Sequence, residues 1–205
     1  MMHARFSLIT ADPLQLGGCL KHLEAKVRPV VEMQPGSLGT ALYADAELGL
    51  AFFESCWASD EALVASEKLP SLGHSDVLRQ AAGTATDEHY KLPVFEQEGK
   101  LPPAARLRLT RMDIEPPAVA DAVEVHGDTA VSWLADTDGF SSALLLVNDS
   151  TGDAISETVW RDPEALAASR RVSAEVRAET TAAAGWSIRA VEEYSLFFSS
   201  ARKPL

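Results

Sequence analysis

The sequence contains little cysteine, which bears on the cellular compartment of the protein and on the kinds of cysteine site it can have. Cys19 and Cys56 are the two cysteines in 205 residues, and their spacing fits no motif. A disulfide-stapled secreted domain needs several cysteines at characteristic intervals, and so does a thiolate zinc site. We therefore predict two reduced, buried thiols and a cytoplasmic protein.

Long apolar runs and clusters of positive charge are also absent. No run approaches the roughly 20 apolar residues that span a bilayer, and the N-terminus lacks the apolar core of a signal peptide. The chain has 18 Lys and Arg against 30 Asp and Glu, which gives a net charge of −12. Because nucleic acids and anionic membranes bind clustered Lys and Arg, the sequence predicts neither as a partner.

Patterns for bound metals and cofactors are missing as well. His3, His74 and His89 lack the spacing of a metal site, and no cysteine pair supports zinc. No glycine-rich phosphate loop is present. No base can be placed beside a serine or cysteine nucleophile. We expect neither a metal ion nor a cofactor.

What the sequence does have is an internal repeat. Residues 36–67 align without a gap on residues 139–170 at a constant offset of 103, with eleven identities in thirty-two positions. In the first copy the identical residues are Gly36, Leu42, Gly49, Ala51, Glu54, Trp57, Glu61, Ala62, Leu63, Ala65 and Ser66. One structural unit is used twice, so we predict a first repeat over 1–98, a linker over 99–104 and a second repeat over 105–205.

Each half of the sequence reads as strand, helix, strand, strand, helix, strand. That order is the ferredoxin-like split βαβ motif, a four-stranded antiparallel sheet with both helices on one face. Strand segments such as residues 143–147 are apolar on both faces, so a second sheet must cover the other face. We predict an α+β fold of two tandem ferredoxin-like repeats packed sheet to sheet as an internal dimeric α/β barrel. The protein would be a monomer with this internal pseudo-dimer, or a homodimer of it.

The third strand of each half carries a family resemblance. A strand ends at Trp57 and a helix capped by Ser59 follows at once, and the second copy repeats this at Trp160 and Asp162. This pattern resembles the antibiotic biosynthesis monooxygenase family of the dimeric α+β barrel superfamily. The resemblance implies a pocket between sheet and helices, lined by the Trp. Members include cofactor-free oxygenases that convert aromatic phenols to quinones, and others degrade haem.

The catalytic positions of that family hold other residues in this chain. Quinone-forming members have an Asn four residues before the Trp, where this sequence has Phe53 and Ser156. Haem-degrading members have a His about ten residues after the Trp, where this sequence has Glu67 and Arg170. Neither first strand contains the Asn that the haem-degrading set also needs.

The two copies differ in an informative way on their first helix. The apolar stripe of the first copy is Leu16, Leu20, Leu23, Val27 and Val30. At the offset of 103, Leu23 becomes His126 and Val30 becomes Trp133. We expect His126, Trp133 and Trp160 to line one cavity in the second half, with His126 as proton acceptor. The first half, lined by Leu23 and Val30, would be largely structural.

Structural roles remain the alternative interpretation of these residues. His126 could be a core histidine bonded to the backbone, or one exposed at a helix break. Trp57 and Trp160 could seal the core, or form pocket walls on which a flat aromatic ligand stacks. Glu54 and Glu157 point to the opposite sheet face, as an acid–base pair or as carboxylates held by donors across the interface.

The family resemblance, together with the difference between the two stripes, implies a cofactor-independent monooxygenase-like protein that oxidises a planar aromatic or quinol-type small molecule. His126 would be the catalytic residue, and Trp160, Trp133 and Trp57 would bind the substrate. The alternative is a non-catalytic module that binds a small hydrophobic ligand or serves as a scaffold, having kept the barrel and lost the catalytic residues. Haem degradation is a third hypothesis.

Overall fold

A computed structural model describes residues 1–69, 76–97 and 99–201, with the backbone alone for residues 128–130 and 184. His74 and the linker residue Glu98 lie outside the described residues. The first half contains β1 Met2–Thr10, α1 Pro13–His22, α2 Arg28–Glu32, β2 Ser37–Asp45, β3 Leu50–Trp57, α3 Asp60–Ser66, α4 Asp76–Gln80 and β4 Thr84–Gln97. The second half contains β5 Arg106–Asp113, α5 Val119–Val125, α6 Ser132–Ala135, β6 Phe140–Val147, β7 Asp153–Trp160, α7 Pro163–Ala168, α8 Arg170–Ala184 and β8 Ser187–Ser199.

Hydrogen bonds order the strands as β1-β3-β2-β8-β5-β7-β6-β4 in a closed barrel. Strand β3 pairs antiparallel with β1 and β2, and β7 pairs antiparallel with β5 and β6. In this register Phe6 lies opposite Glu54 and Leu109 lies opposite Glu157. The predicted α+β class and the barrel are confirmed. None of the described helices is long and apolar enough to cross a membrane.

The chain packs as two compact units. The first unit comprises Met1–Tyr90 together with the chain from Ser195 onward, and the second unit comprises Lys91–Tyr194. The ends of the long strands β4 and β8 therefore belong to different units from their beginnings. The repeat boundaries at 1–98, 99–104 and 105–205 stay a sequence-level prediction.

Several of the repeated residues have the same local role in both copies. Gly36 and Gly139 have positive φ angles of 81° and 83°, and a Cβ at either position would collide with the Cβ of Ala62 or Ala165. Glycine is therefore required twice, for its conformation and for the close approach of the following helix. The helix caps also correspond, since the side chains of Ser59 and Asp162 accept from the backbone N–H three residues later.

The first helical region departs from the prediction in both copies. A π-helical turn, Leu23–Val27, separates α1 from α2, and a second one, His126–Val131, separates α5 from α6. A π turn holds one more residue than an ordinary turn. The apolar stripe expected for an uninterrupted helix therefore goes out of phase after this point.

The cores of the two units are divided differently. In the first unit one apolar cluster contains Leu23, Phe53 and Trp57. In the second unit the buried apolar residues fall into two clusters, one around Trp160 and one around Trp186. Cys19 and Cys56 are both buried, as predicted, and their reduced state stays a prediction.

Candidate functional site

A pocket of about 220 Å³ lies in the first unit, between the first helical region and strands β1, β3 and β4. Its apolar walls come mainly from the π turn, α2 and β3, and consist of Val27, Val30, Val31, Phe53 and Leu69. We call this cavity the first-unit pocket. Its mostly apolar lining with a few convergent polar groups is typical of sites for small organic ligands.

One side of the first-unit pocket is polar. The residues that form it are Arg5, Ser7, His22, Lys26, Ser55 and Asp87. The hydroxyl of Ser7 donates a hydrogen bond to Asp87 Oδ1. The hydroxyl of Ser55 accepts one from Trp57 Nε1 at 3.0 Å. The carboxylate, the imidazole and two cationic side chains are thus available to a ligand's polar group.

Helix α3 holds the side chain of Arg5 in place. Its Nη2 donates to Ser66 Oγ at 2.8 Å and to the Leu63 carbonyl at 3.4 Å. Its Nε donates to His89 Nε2 at 3.4 Å. The guanidinium is therefore oriented by neutral acceptors.

The second unit has a much smaller cavity in the region where the sequence predicted the active site. Its volume of about 30 Å³ is enough for one or two water molecules. Polar side chains dominate its lining, among them Arg108, Thr110, His126, Ser156 and Thr158. We call it the polar cavity. An aromatic ring does not fit in this volume.

His126 borders the polar cavity and is 2% exposed. Its Nε2 is 2.9 Å from Ser156 Oγ, and its ring stacks on Trp186 with the centroids 5.7 Å apart. Its Nδ1 has no hydrogen-bond partner among the described residues. Burial lowers the pKa of this imidazole to about 4, so it is neutral at neutral pH and is a weak base.

The pair His126 and Ser156 replaces the pair Leu23 and Phe53 of the first copy, at the same offset of 103. Leu23 and Phe53 lie in one apolar cluster. The exchange of both residues for polar ones inserts a small polar cavity between the two apolar clusters of the second unit. The sequence identified His126 as unusual but not its partner.

Trp57 and Trp160 are fully buried. Each indole N–H donates to a hydroxyl two residues earlier, at 3.0 Å to Ser55 and 3.3 Å to Thr158. Trp160 also packs edge to face on Phe140 at 6.0 Å. Among the described residues that line the two cavities, neither tryptophan occurs. Their geometry matches the core-sealing interpretation, and their substrate-binding role stays a prediction.

The expected inward orientation of Trp133 is wrong. Its side chain is 45% exposed, whereas the next residue, Leu134, is 4% exposed. The first copy shows the same displacement, with Val30 40% exposed and Val31 8% exposed. Because the π turn adds one residue, and each helical residue rotates by about 100°, the buried stripe moves on by one position. His126, Trp133 and Trp160 consequently do not line a common cavity.

Glu54 and Glu157 are both buried, at 2% and 1% exposure. Burial raises the pKa of Glu54 to about 7, and its Oε1 has no hydrogen-bond partner among the described residues. The two carboxyl groups therefore carry a desolvation cost in their charged form. Their chemical role stays a prediction.

The first-unit pocket lies in the half that the sequence predicts to be largely structural, so its location is not predicted from the sequence. The available indication was the presence of His22 and Lys26 beside the apolar stripe of the first helix. Arg5 and Asp87 carried no such indication, because they are far apart in the sequence. In the described part of the chain no group of three or more His, Cys, Asp or Glu side chains could hold a metal ion.

Comparison with protein families and curated sequences gives distant relatives. No family model matches the chain. The uncharacterized protein Rv2558 of Mycobacterium tuberculosis H37Rv is 24% identical over 205 residues, which cover 100% of this chain and 87% of the relative. The uncharacterized protein Rv2557 of the same strain is 23% identical over 204 residues, covering 100% of this chain and 91% of the relative.

Comparison with solved structures shows proteins of similar fold at low sequence identity. A proposed monooxygenase from Fusobacterium nucleatum has a TM-score of 0.74 at 11% identity, covering 100% of this chain and 96% of its own. An anthrone oxidase-like protein has a TM-score of 0.69 at 14% identity, with 98% and 93% covered. A ferredoxin-fold protein of Listeria monocytogenes, related to antibiotic biosynthesis monooxygenases, has a TM-score of 0.58 at 10% identity, with 95% and 94% covered.

Proposed function

Starting from the fold of the antibiotic biosynthesis monooxygenases, which this chain has in a single-chain, two-copy form, we propose a small-molecule oxygenase. It binds a planar, largely apolar phenol or quinol-type molecule in the first-unit pocket and oxidises it with O₂ without a bound cofactor. The observation that carries the proposal is the pocket itself, about 220 Å³ with apolar walls and one polar side. The polar cavity, at about 30 Å³, is too small for such a ligand.

The reaction we propose uses the electron-rich ring of the ligand as the reductant. A base removes the phenolic or anthrone-type proton, and the carbanion or phenolate that forms reacts with O₂. One oxygen atom becomes the carbonyl oxygen on the ring carbon, and the other leaves as water with two hydrogens. Both hydrogens come from the CH₂ carbon of an anthrone, whereas a phenol supplies one from the ring C–H and one from the O–H. Among the described residues that line the pocket, His22 and Asp87 are the candidates for the base that accepts the proton. The catalytic role of His126 stays a prediction from the sequence.

A non-catalytic binding module is the second candidate, and a specific observation favours it. The catalytic Asn and His positions implied by the family resemblance are Phe53 and Glu67 in the first copy. Phe53 contributes an apolar wall to the pocket instead of an amide. A protein that had kept the pocket and lost the chemistry would retain ligand binding without oxygen consumption.

The experiment uses anthrone as the probe, with oxygen uptake, quinone absorbance and equilibrium binding measured together. The blocking variant is Val30→Trp, which places at the pocket the residue that the second copy has at the same repeat position. The matched control is the reciprocal Trp133→Val, at a position that is 45% exposed and away from the pocket. We expect binding and uptake to fall at least tenfold in Val30→Trp and to be unchanged in Trp133→Val.

Three other outcomes have defined meanings. Binding without oxygen uptake supports the module and refutes the oxygenase. Unchanged binding and uptake in Val30→Trp refutes the assignment to the first-unit pocket. If uptake persists in both His22→Gln and Asp87→Asn and in the double variant, neither residue is the base.

A further inference from the structure

We infer that the ligand of the first-unit pocket carries an anionic group, a carboxylate or a phenolate, which Arg5 and Lys26 bind. The inference deepens the proposed function and rests on it, because it concerns the same pocket. It comes from a difference between the two copies of the repeat, which serve as internal references for one another.

Arg5 and Arg108 occupy the same repeat position and are held in the same way. Arg5 donates to the Leu63 carbonyl at 3.4 Å and to Ser66 Oγ at 2.8 Å. Arg108, 103 residues later, donates to the corresponding carbonyl at 3.0 Å and to the corresponding serine hydroxyl at 2.9 Å. The fold thus presents a guanidinium at this point in both units.

The two guanidinium groups differ in their counter-ion. Arg108 Nη2 is 3.0 Å from Glu193 Oε1, a residue of the last strand. The last strands align at an offset of 104, because Tyr90 and Tyr194 each donate to the glutamate two residues earlier, at 2.9 Å. At that offset the counterpart of Glu193 is His89.

Arg5 therefore faces an imidazole where Arg108 faces a carboxylate. His89 Nε2 accepts from Arg5 Nε at 3.4 Å, while the other ring nitrogen is 3.7 Å from Glu67. Among the residues that the structure describes, no carboxylate lies within 4.0 Å of the Arg5 guanidinium. Because a guanidinium binds carboxylates strongly and bidentately, the position is suited to an anionic group supplied by the ligand.

A second cation lines the same pocket. Lys26 lies on the π turn, and it has no ion pair within the described part of the chain. At the same repeat position the second copy has Thr129, a residue without charge, so the lysine is particular to the first copy. Among the described residues that line the pocket, Asp87 is the one carboxylate, and it accepts a hydrogen bond from Ser7. The described part of the lining thus holds two cations and one carboxylate, which makes it positive in a chain whose net charge is −12.

The test compares two planar probes of nearly the same size and shape, the anion 2-naphthoate and the neutral 2-naphthamide. Their affinities for the full chain are measured by isothermal titration calorimetry at low and high salt. The variants are Lys26→Gln, Arg5→Gln and the pocket-blocking Val30→Trp. The matched control is Lys21→Gln, an exposed lysine on α1 that does not line the pocket.

We expect 2-naphthoate to bind at least about tenfold more tightly than 2-naphthamide, since charge-assisted hydrogen bonds are worth more than neutral ones. Lys26→Gln should weaken naphthoate severalfold and leave naphthamide unchanged, and Lys21→Gln should change neither. Arg5→Gln should remove most of the preference. If that variant does not fold, the Lys26→Gln comparison decides.

Equal affinity for the two probes, or a preference that Lys26→Gln does not reduce, would overturn the inference while leaving the pocket intact. If neither probe binds, or if Val30→Trp does not affect binding, the first-unit pocket is not the ligand site. That result overturns the proposed function as well, and so the two failures are distinguished.

Discussion

Replacing Glu54 by Gln should change how the stability of the protein depends on pH. The carboxyl is 2% exposed, and burial raises its pKa from the ordinary value of 4.5 to about 7. Between these values the folded protein keeps a proton that the unfolded chain releases. Stability from the neutral carboxyl is therefore fully present below pH 4.5 and is lost as the pH rises to about 7. At about 1.4 kcal/mol per pH unit, the loss is about 3 kcal/mol.

His126 has the opposite dependence. Burial lowers its pKa from 6.5 to about 4, so between these values the unfolded chain binds a proton that the folded protein does not. Stability is present above pH 6.5 and is lost as the pH falls to about 4, again by about 3 kcal/mol. The two slopes oppose each other between pH 4.5 and pH 6.5, and the wild type should be nearly flat there with respect to these two groups.

The assay is urea unfolding followed by circular dichroism from pH 4 to pH 8, for the wild type, Glu54→Gln, His126→Gln and the double variant. Differences from the wild type cancel the contributions of the titrating groups that do not interact with the replaced residue. The stability of Glu54→Gln relative to the wild type should rise by about 3 kcal/mol from pH 4.5 to pH 7. That of His126→Gln should rise by a similar amount as the pH falls. A difference that stays constant with pH would refute the reasoning for that residue.

Further predictions concern the pocket and the repeat. Val30→Trp should weaken anthrone binding at least about tenfold, whereas Trp133→Val should leave it unchanged. In calorimetry, 2-naphthoate should bind more tightly than 2-naphthamide. In urea unfolding, Gly36→Ala should destabilise the fold by about 2 kcal/mol or more, because it adds a steric collision to the cost of a positive φ. The control Gly185→Ala has a positive φ but no atom near the added Cβ, and it should cost about 1 kcal/mol. The double variant His126→Leu/Ser156→Phe should be more stable, by about 1 kcal/mol or more, than the summed changes in unfolding free energy of the two single variants predict, because the pair restores the packing of the first copy. A purely additive result would contradict that last expectation.

The sequence alone determined the features that depend on neighbours along the chain. The repeat predicted two similar units, and the shared glycines, caps and buried tryptophans have matching roles in both. Gly36 illustrates the reason, because its positive φ is set within its own turn, and the helix of Ala62 that it contacts belongs to the same repeat. Short-range steric requirements of this kind act on residue type directly, and so they are visible in the sequence.

Only the tertiary structure decided which residues surround the pocket. The π turns add one residue within each first helical region, and no side-chain pattern marks them. The buried stripe that the sequence predicts to end at Val30 and Trp133 therefore ends one residue later, at Val31 and Leu134. Arg5 and Asp87 meet at the same cavity although 82 positions separate them in the sequence. The cavity itself is the volume that packing leaves unfilled, and packing depends on the shapes of side chains from several elements at once. The sequence lists those side chains, but their common enclosure of a void arises only when the chain has folded.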